Sequence, residues 1–183
     1  MRRTESTAAT RAAIVSAARD LLAGHEWRRF TLEAVAARAG VTRVTVYHQM
    51  ANKYGLLDAV LTDLAARGGM DRLVTGSREM AAPDAFAYAV DQTCRFWHAE
   101  RPVLRPLFGL AAMDPAINAN LGKREGWRAG QFARLTGRTP GDPALAGIVA
   151  VTSFPTYDAL GSLADEPGRA ADLVLRMARS LLD

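Results

Sequence analysis

The sequence holds a single cysteine, Cys94, in 183 residues. It can form no internal disulfide, and a cysteine-rich zinc site is excluded. Its three histidines, His25, His48 and His98, stand far apart, and no HExxH, P-loop, GxSxG or dinucleotide fingerprint occurs. His98, with Glu100 and Asp91 nearby, is too sparse a donor set to hold a metal. We therefore expect no enzymatic activity, no cofactor and no catalytic residue. No apolar run approaches the roughly 20 residues a membrane-crossing helix needs. The N-terminal arginines have no apolar segment behind them, which argues against a signal peptide. The expectation is a soluble, cytoplasmic protein without a membrane partner. Alternation over strand-length runs is nearly absent as well, which leaves an all-α fold.

The positive charge is distributed unevenly. Net charge is +4, but residues 1–53 carry nine Lys/Arg (Arg2, Arg3, Arg11, Arg19, Arg28, Arg29, Arg38, Arg43, Lys53) against four acids (Glu5, Asp20, Glu26, Glu33). The remaining 130 residues carry 14 basic and 15 acidic groups. The whole positive excess thus lies at one end, as expected of a segment that meets a polyanion. A basic solvated surface would give the same count. Arg2 and Arg3 read as a terminal tail.

Apolar residues at three- and four-residue spacing mark helices along the entire chain. Ile14, Ala18, Leu21 and Leu22 share a face, with Gly24 as the stop. Thr31 caps a short helix with Leu32, Val35, Ala36 and Ala39 inward, ended by Gly40. Thr42 caps a third helix after only a glycine–valine corner, and Asn52 caps a fourth with the stripe Leu56, Leu57, Val60, Leu61 and Leu64. Beyond Gly68-Gly69, prolines at helix starts divide the chain into helices at about 83–99, 102–113, 115–136, 143–164 and 167–182. About nine helices result.

Helix, tight glycine turn and short helix form the helix-turn-helix pattern. At 100° per residue, Val46 and Met50 of the third helix point one way, and Val44, Thr45 and His48 point the other, flanked by Tyr47 and Gln49. Arg43 reaches around the rim. Methyl groups, a hydroxyl, an imidazole and a guanidinium can read base edges in a major groove. Thr31 and Thr42 are hydroxyls at helix N-termini, where an anion is favoured. Tyr47 adds another hydroxyl. Lys53, a cation in a first helical turn, opposes the dipole and is better explained by an external anion.

The run from Thr31 to Tyr47 (TLEAVAARAGVTRVTVY), then Lys53 and Leu56-Leu57, resembles the DNA-binding domain of TetR-family transcriptional regulators. The likeness is dense from about Ala12 to Leu61. This chain departs from it at Gln49-Met50, where the family usually has His-Phe, and at Ala51, where proline is frequent. The resemblance implies that Thr31, Thr42, Tyr47 and Lys53 hold the DNA backbone, while Arg43, Val44, Thr45 and His48 approach the bases of a double-stranded operator. It implies a helix-turn-helix domain over residues 1–51 and an effector-binding, dimerising domain over 52–183. The dimer would be a homodimer formed through the last two long helices, about 143–164 and 167–182. Apolar positions there are Ile148, Val149, Val151, Thr152, Leu160, Leu163, Leu173, Val174, Met177, Leu181 and Leu182.

Aromatic residues gather in the second part of the chain. By the same resemblance Phe86, Val90, Cys94, Trp97, Phe108, Trp127, Phe154 and Tyr157 line a pocket for a small-molecule effector; each could also be ordinary core. Phe86, Val90, Cys94 and Trp97 form a helical stripe that faces inward. Pro155 is expected to bend the helix it interrupts, and Asp158 to be a paired or partly exposed carboxylate. The functional expectation is a ligand-responsive repressor that binds a palindromic operator. Two alternatives stay open: a helical small-molecule-binding protein with a degenerate helix-turn-helix, and a DNA-binding protein without sequence preference.

Overall fold

A computed structural model describes residues 2–24, 30–70 and 72–182, with the side chains of 2–6 and 74 outside that description. His25, Glu26, Arg28 and Arg29 lie outside the described residues. Among the described residues the regular elements are all helices, with no strand.

The first helix, α1 (Arg2–Ala23), begins where the sequence suggested a tail. Its face of Ile14, Ala18, Leu21 and Leu22 is buried. Next, α2 (Leu32–Ala39) starts at Thr31, whose hydroxyl accepts from the Ala34 N–H at 3.1 Å. It stops at Gly40, which takes the left-handed conformation (φ 67°) so that the N–H of Val41 reaches back to the Ala36 carbonyl. After that corner Thr42 caps α3 (Arg43–Met50) by accepting from the Thr45 N–H at 3.1 Å. Helix α4 (Lys53–Arg67) is capped by the Asn52 side chain, which accepts from the Gly55 N–H at 2.9 Å. Its expected stripe from Leu56 to Leu64 is buried. Each such buried leucine contributes about 1.5–3 kcal/mol.

The second half contains the short α5 (Arg72–Thr75), then α6 (Ala82–Met113), α7 (Pro115–Thr136), α8 (Pro143–Val151), α9 (Phe154–Asp158), a 3-10 turn (Gly161–Asp165) and α10 (Pro167–Arg179). Two expectations fail here. Pro102 does not start a helix: α6 runs through both Pro102 and Pro106. Val103, Leu104 and Leu107 continue the buried stripe of Phe96 and Trp97, and that burial outweighs the hydrogen bonds the prolines remove.

The expected helix at 143–164 is three pieces. Thr152 closes α8 with its hydroxyl donating to the Ile148 carbonyl at 2.7 Å. Ser153 then caps α9 by accepting from the Thr156 N–H. Pro155 therefore sits in the first turn of a new helix rather than bending an old one.

The chain divides into two compact units, Met1–Leu64 with Pro102–Asn120, and Ala65–Arg101 with Leu121–Asp183. In the second unit Arg128 is almost fully buried. It donates to Thr152 Oγ1 (2.5 Å), Glu125 Oε2 (2.5 Å) and the Val149 carbonyl (2.9 Å), tying α7 to the end of α8. Arg101 joins α6 to Asp158 and Asp165 at 2.6 Å each, so Asp158 is a paired carboxylate. Gly147 provides the space against which Leu181 rests on α8.

Candidate nucleic-acid interface

The amphipathic division of α3 is realised. Val46 is fully buried and Met50 nearly so, while Val44 is 63 % and Tyr47 61 % exposed. Arg43 and His48 are also exposed, and Thr45 is half-buried. An eight-residue helix thus holds itself in place with two side chains and presents the others outward. Val44 and Tyr47 thus lie open on the same helix as the exposed Arg43 and His48.

The hydroxyls are already organised. Thr42 Oγ1 lies 2.9 Å from Thr45 Oγ1, and Thr31 and Thr42 both cap their helices. Lys53, at the start of α4, places its ammonium 6.0 Å from the Phe30 ring centroid, within cation–π reach. Arg43 pairs with Glu33 at 2.7 Å, a contact the sequence reading did not foresee.

Both ends of α3 are tethered. At its C-terminal end Arg11 of α1 donates to the Gln49 carbonyl at 2.6 Å, and a cation there also suits the helix dipole. Beyond it Ala51 has φ 62° and ψ −48°, and the Asn52 N–H reaches the Met50 carbonyl at 2.7 Å. That is a γ-turn with positive φ, a strained geometry for a residue with a Cβ. Proline, frequent in the resembled family at this place, could not adopt it. The corner between α3 and α4 therefore follows this chain's own residues. On α4, the Tyr54 hydroxyl donates to Asp114 Oδ2 at 3.2 Å, while Asp114 Oδ1 caps α7 by accepting from the Ala116 N–H.

Of the residues expected to line a pocket, Phe86, Val90, Cys94, Trp97, Phe154 and Tyr157 are buried in the second unit. Trp97 and Phe154 meet edge to face at 5.7 Å, and the Trp97 indole donates to the Thr152 carbonyl at 2.9 Å. Trp127 stands apart, 42 % exposed, and Phe108 belongs to the other unit. Burial, with a smaller contribution from Asp91, pushes the Cys94 thiol up to about 12. His98 Nδ1 lies 3.0 Å from the Ala164 carbonyl, to which the Tyr157 hydroxyl also donates. Among the described residues no group of three His, Cys, Asp or Glu side chains could hold a metal, and no helix is long and apolar enough to cross a membrane.

Residues 14–60 match the family model described as "Bacterial regulatory proteins, tetR family". Over 112 residues, 61 % of this chain, the sequence is 32 % identical to the HTH-type transcriptional regulator AlkX of Mycobacterium tuberculosis. The chain spans about half the length of that relative, 47 %. Among solved structures, a transcriptional regulator from Rhodococcus sp. Rha1 superposes with a TM-score of 0.73 at 21 % identity, covering 94 % of this chain and 95 % of that one. Salmonella enterica GusR gives 0.68 at 20 % identity over 94 % and 95 % of the two chains. These two likenesses concern the fold.

Proposed function

We propose that this chain, whose residues 14–60 match the model of the tetR family of bacterial regulatory proteins, is a sequence-specific DNA-binding transcriptional regulator that represses as a homodimer and is released by a small molecule. What carries the reading is the outward face of α3, where Val44 and Tyr47 lie bare beside Arg43, Thr45 and His48. The methyls, hydroxyl, imidazole and guanidinium of that face suit base edges. Thr31, Thr42, Tyr47 and Lys53 around it suit phosphates. Residues 1–51 act as the DNA-binding part and 52–183 as the effector-binding and dimerising part.

The partner copy is met through α8 and α10. On these helices Ile148, Thr152 and Val174 are taken up by the chain's own core. Val149, Val151, Leu173 and Met177 keep partial exposure, and Leu181 is exposed; these are available to a second copy. In a two-fold dimer two α3 helices enter successive major grooves about 34 Å apart, so the operator is roughly palindromic. The effector sits among the buried aromatics of the second unit. A coupling of about 1–3 kcal/mol between the two sites suffices to weaken operator binding.

Selection of bound duplexes from a random pool tests the reading. A two-fold-symmetric consensus is expected, bound by a dimer in sedimentation. Binding that depends on salt but on no sequence, or a monomer at working concentration, would overturn it.

A further inference from the structure

The chain crosses from one compact unit to the other three times, after Leu64 in α4, after Arg101 in α6 and after Asn120 in α7. Each crossing has a residue poor at holding a helix at it or just beyond it. Helix α4 ends at Arg67, and Gly68-Gly69 follow, Gly69 with φ 65°. In α6 the residue after Arg101 is Pro102, with Pro106 about one turn further on. In α7 Gly122 follows Asn120 and Leu121.

Packing does not require these choices in α6 and α7. Pro102 is exposed, and Val103, Leu104 and Leu107 supply the burial of that stretch. A Cβ on Gly122 would meet nothing within 4 Å. Alanine would fit at either place and hold the helix better. Proline brings no N–H, so the His98 carbonyl lacks its helical donor, and Pro106 deprives the Pro102 carbonyl in the same way. Gly122 leaves the backbone of α7 at its freest. Helices bend at such residues.

On both sides of these points the helices are held. Before Pro102, Arg101 donates to Asp158 and Asp165 at 2.6 Å each. After it, Val103 and Leu104 are buried. Before Gly122, Asn120 donates to Asp58 at 3.1 Å and Asp114 accepts from Tyr54. After it, Arg128 reaches Thr152 and Val149. Every one of these hydrogen bonds joins residues of the same unit.

We propose that α6 and α7 are a pair of hinged helices, bending at Pro102–Pro106 and at Gly122 while the segments on either side stay fixed in their own units. The hinges stand on this geometry; their use in release of the operator rests on the function proposed above. Bending at these points changes the setting of α3 without disturbing the buried contacts on either side.

The test compares wild type, the double variant Pro102→Ala with Gly122→Ala, and Gly130→Ala, which adds a Cβ into equally open space away from the crossing. Nitroxide labels go on Ala37→Cys in the first unit and Thr139→Cys in the second, both exposed positions. The full chain is diluted with unlabelled copies, and pulsed electron resonance reads the spread of label distances. Thermal unfolding no earlier than wild type shows that each variant is folded. The double variant should narrow the wild-type spread to roughly half, since an unbroken helix curves only gently. Gly130→Ala should leave it unchanged, and the selected operator should narrow it in wild type. A wild-type spread already as narrow as the double variant's, or equal narrowing by Gly130→Ala, overturns the hinges and leaves operator selection untouched. Failure to select any operator overturns the regulatory use, a result separate from the spread itself.

Discussion

The carbonyl oxygen of Met50 lies where a side chain on Gly55 would have to begin: a Cβ built there falls 2.1 Å from that oxygen. The last residue of α3 and the third of α4 are therefore fitted backbone to backbone. A flexible side chain could yield to the added carbon; a carbonyl held by the Asn52 N–H cannot yield cheaply.

Gly55→Ala is accordingly expected to shift the end of α3 and to destabilise the chain by about 1–3 kcal/mol. Thermal unfolding measures the loss, and operator affinity should fall with it. An unchanged midpoint would show that the corner relaxes freely.

Ala51 adjoins the same corner at φ 62°. Ala51→Gly removes the clash of a Cβ with positive φ, so the folded form gains up to about 1 kcal/mol, less the extra freedom of the unfolded chain. Ala51→Pro should do the opposite and cost about 3 kcal/mol or more, since the ring holds φ near −65°. The two unfolding midpoints should lie on opposite sides of wild type, and the reverse order would dismiss strain at Ala51.

Lys53 and Arg43 are assigned different work, and salt separates them. Lys53→Ala should weaken binding to all duplexes alike and reduce the slope of log affinity against log salt by about one. Arg43→Ala should cost about 1–3 kcal/mol at one base position. If the two variants behave identically on matched and mismatched duplexes, the division of roles is wrong.

Cys94 offers a chemical and a pH-dependent prediction. Its buried thiol is raised from its ordinary value of 9.0 to about 12, so the folded chain holds that proton more tightly than the unfolded chain. This contribution to stability is complete below pH 9 and is lost as pH rises toward 12. Tyr157, raised to about 12 by burial with Cys94 adding to it, acts in the same direction. Stability should therefore fall steeply on the alkaline side. At pH 8 a thiol reagent should label the folded chain more than about a hundredfold slower than the unfolded one. Fast labelling of the native protein would show that Cys94 is accessible.

Legibility from sequence followed the range of the interaction. Thr31, Thr42, Asn52 and Gly40 act within four or five residues of themselves, and their caps and corner were readable directly. The inward positions of α1, α3 and α4 follow from helical period alone. Pro102 was misread because a proline's local preference for a first turn gave no view of the buried Val103, Leu104 and Leu107 that keep α6 intact. Thr152-Ser153-Phe154-Pro155 did hold the signal for a break, a hydroxyl cap followed by proline, but the apolar period on both sides concealed it. The Glu33–Arg43 and Arg11–Gln49 contacts join residues 10 and 38 positions apart. Only the closed turn between helices brings them together. For the same reason nothing in one dimension separated exposed Trp127 from buried Trp97.

Helix α3 has eight residues, whereas a helix of fewer than about 12–15 hardly persists alone in water. Its C-terminal turn is held by Arg11 from α1, and its buried side depends on the helices before it. Amide protons in α3 should then exchange with solvent in step with those of α1, as one cooperative unit. The lifetime of the docked α1 thus sets how long the surface proposed to read DNA endures between one encounter and the next.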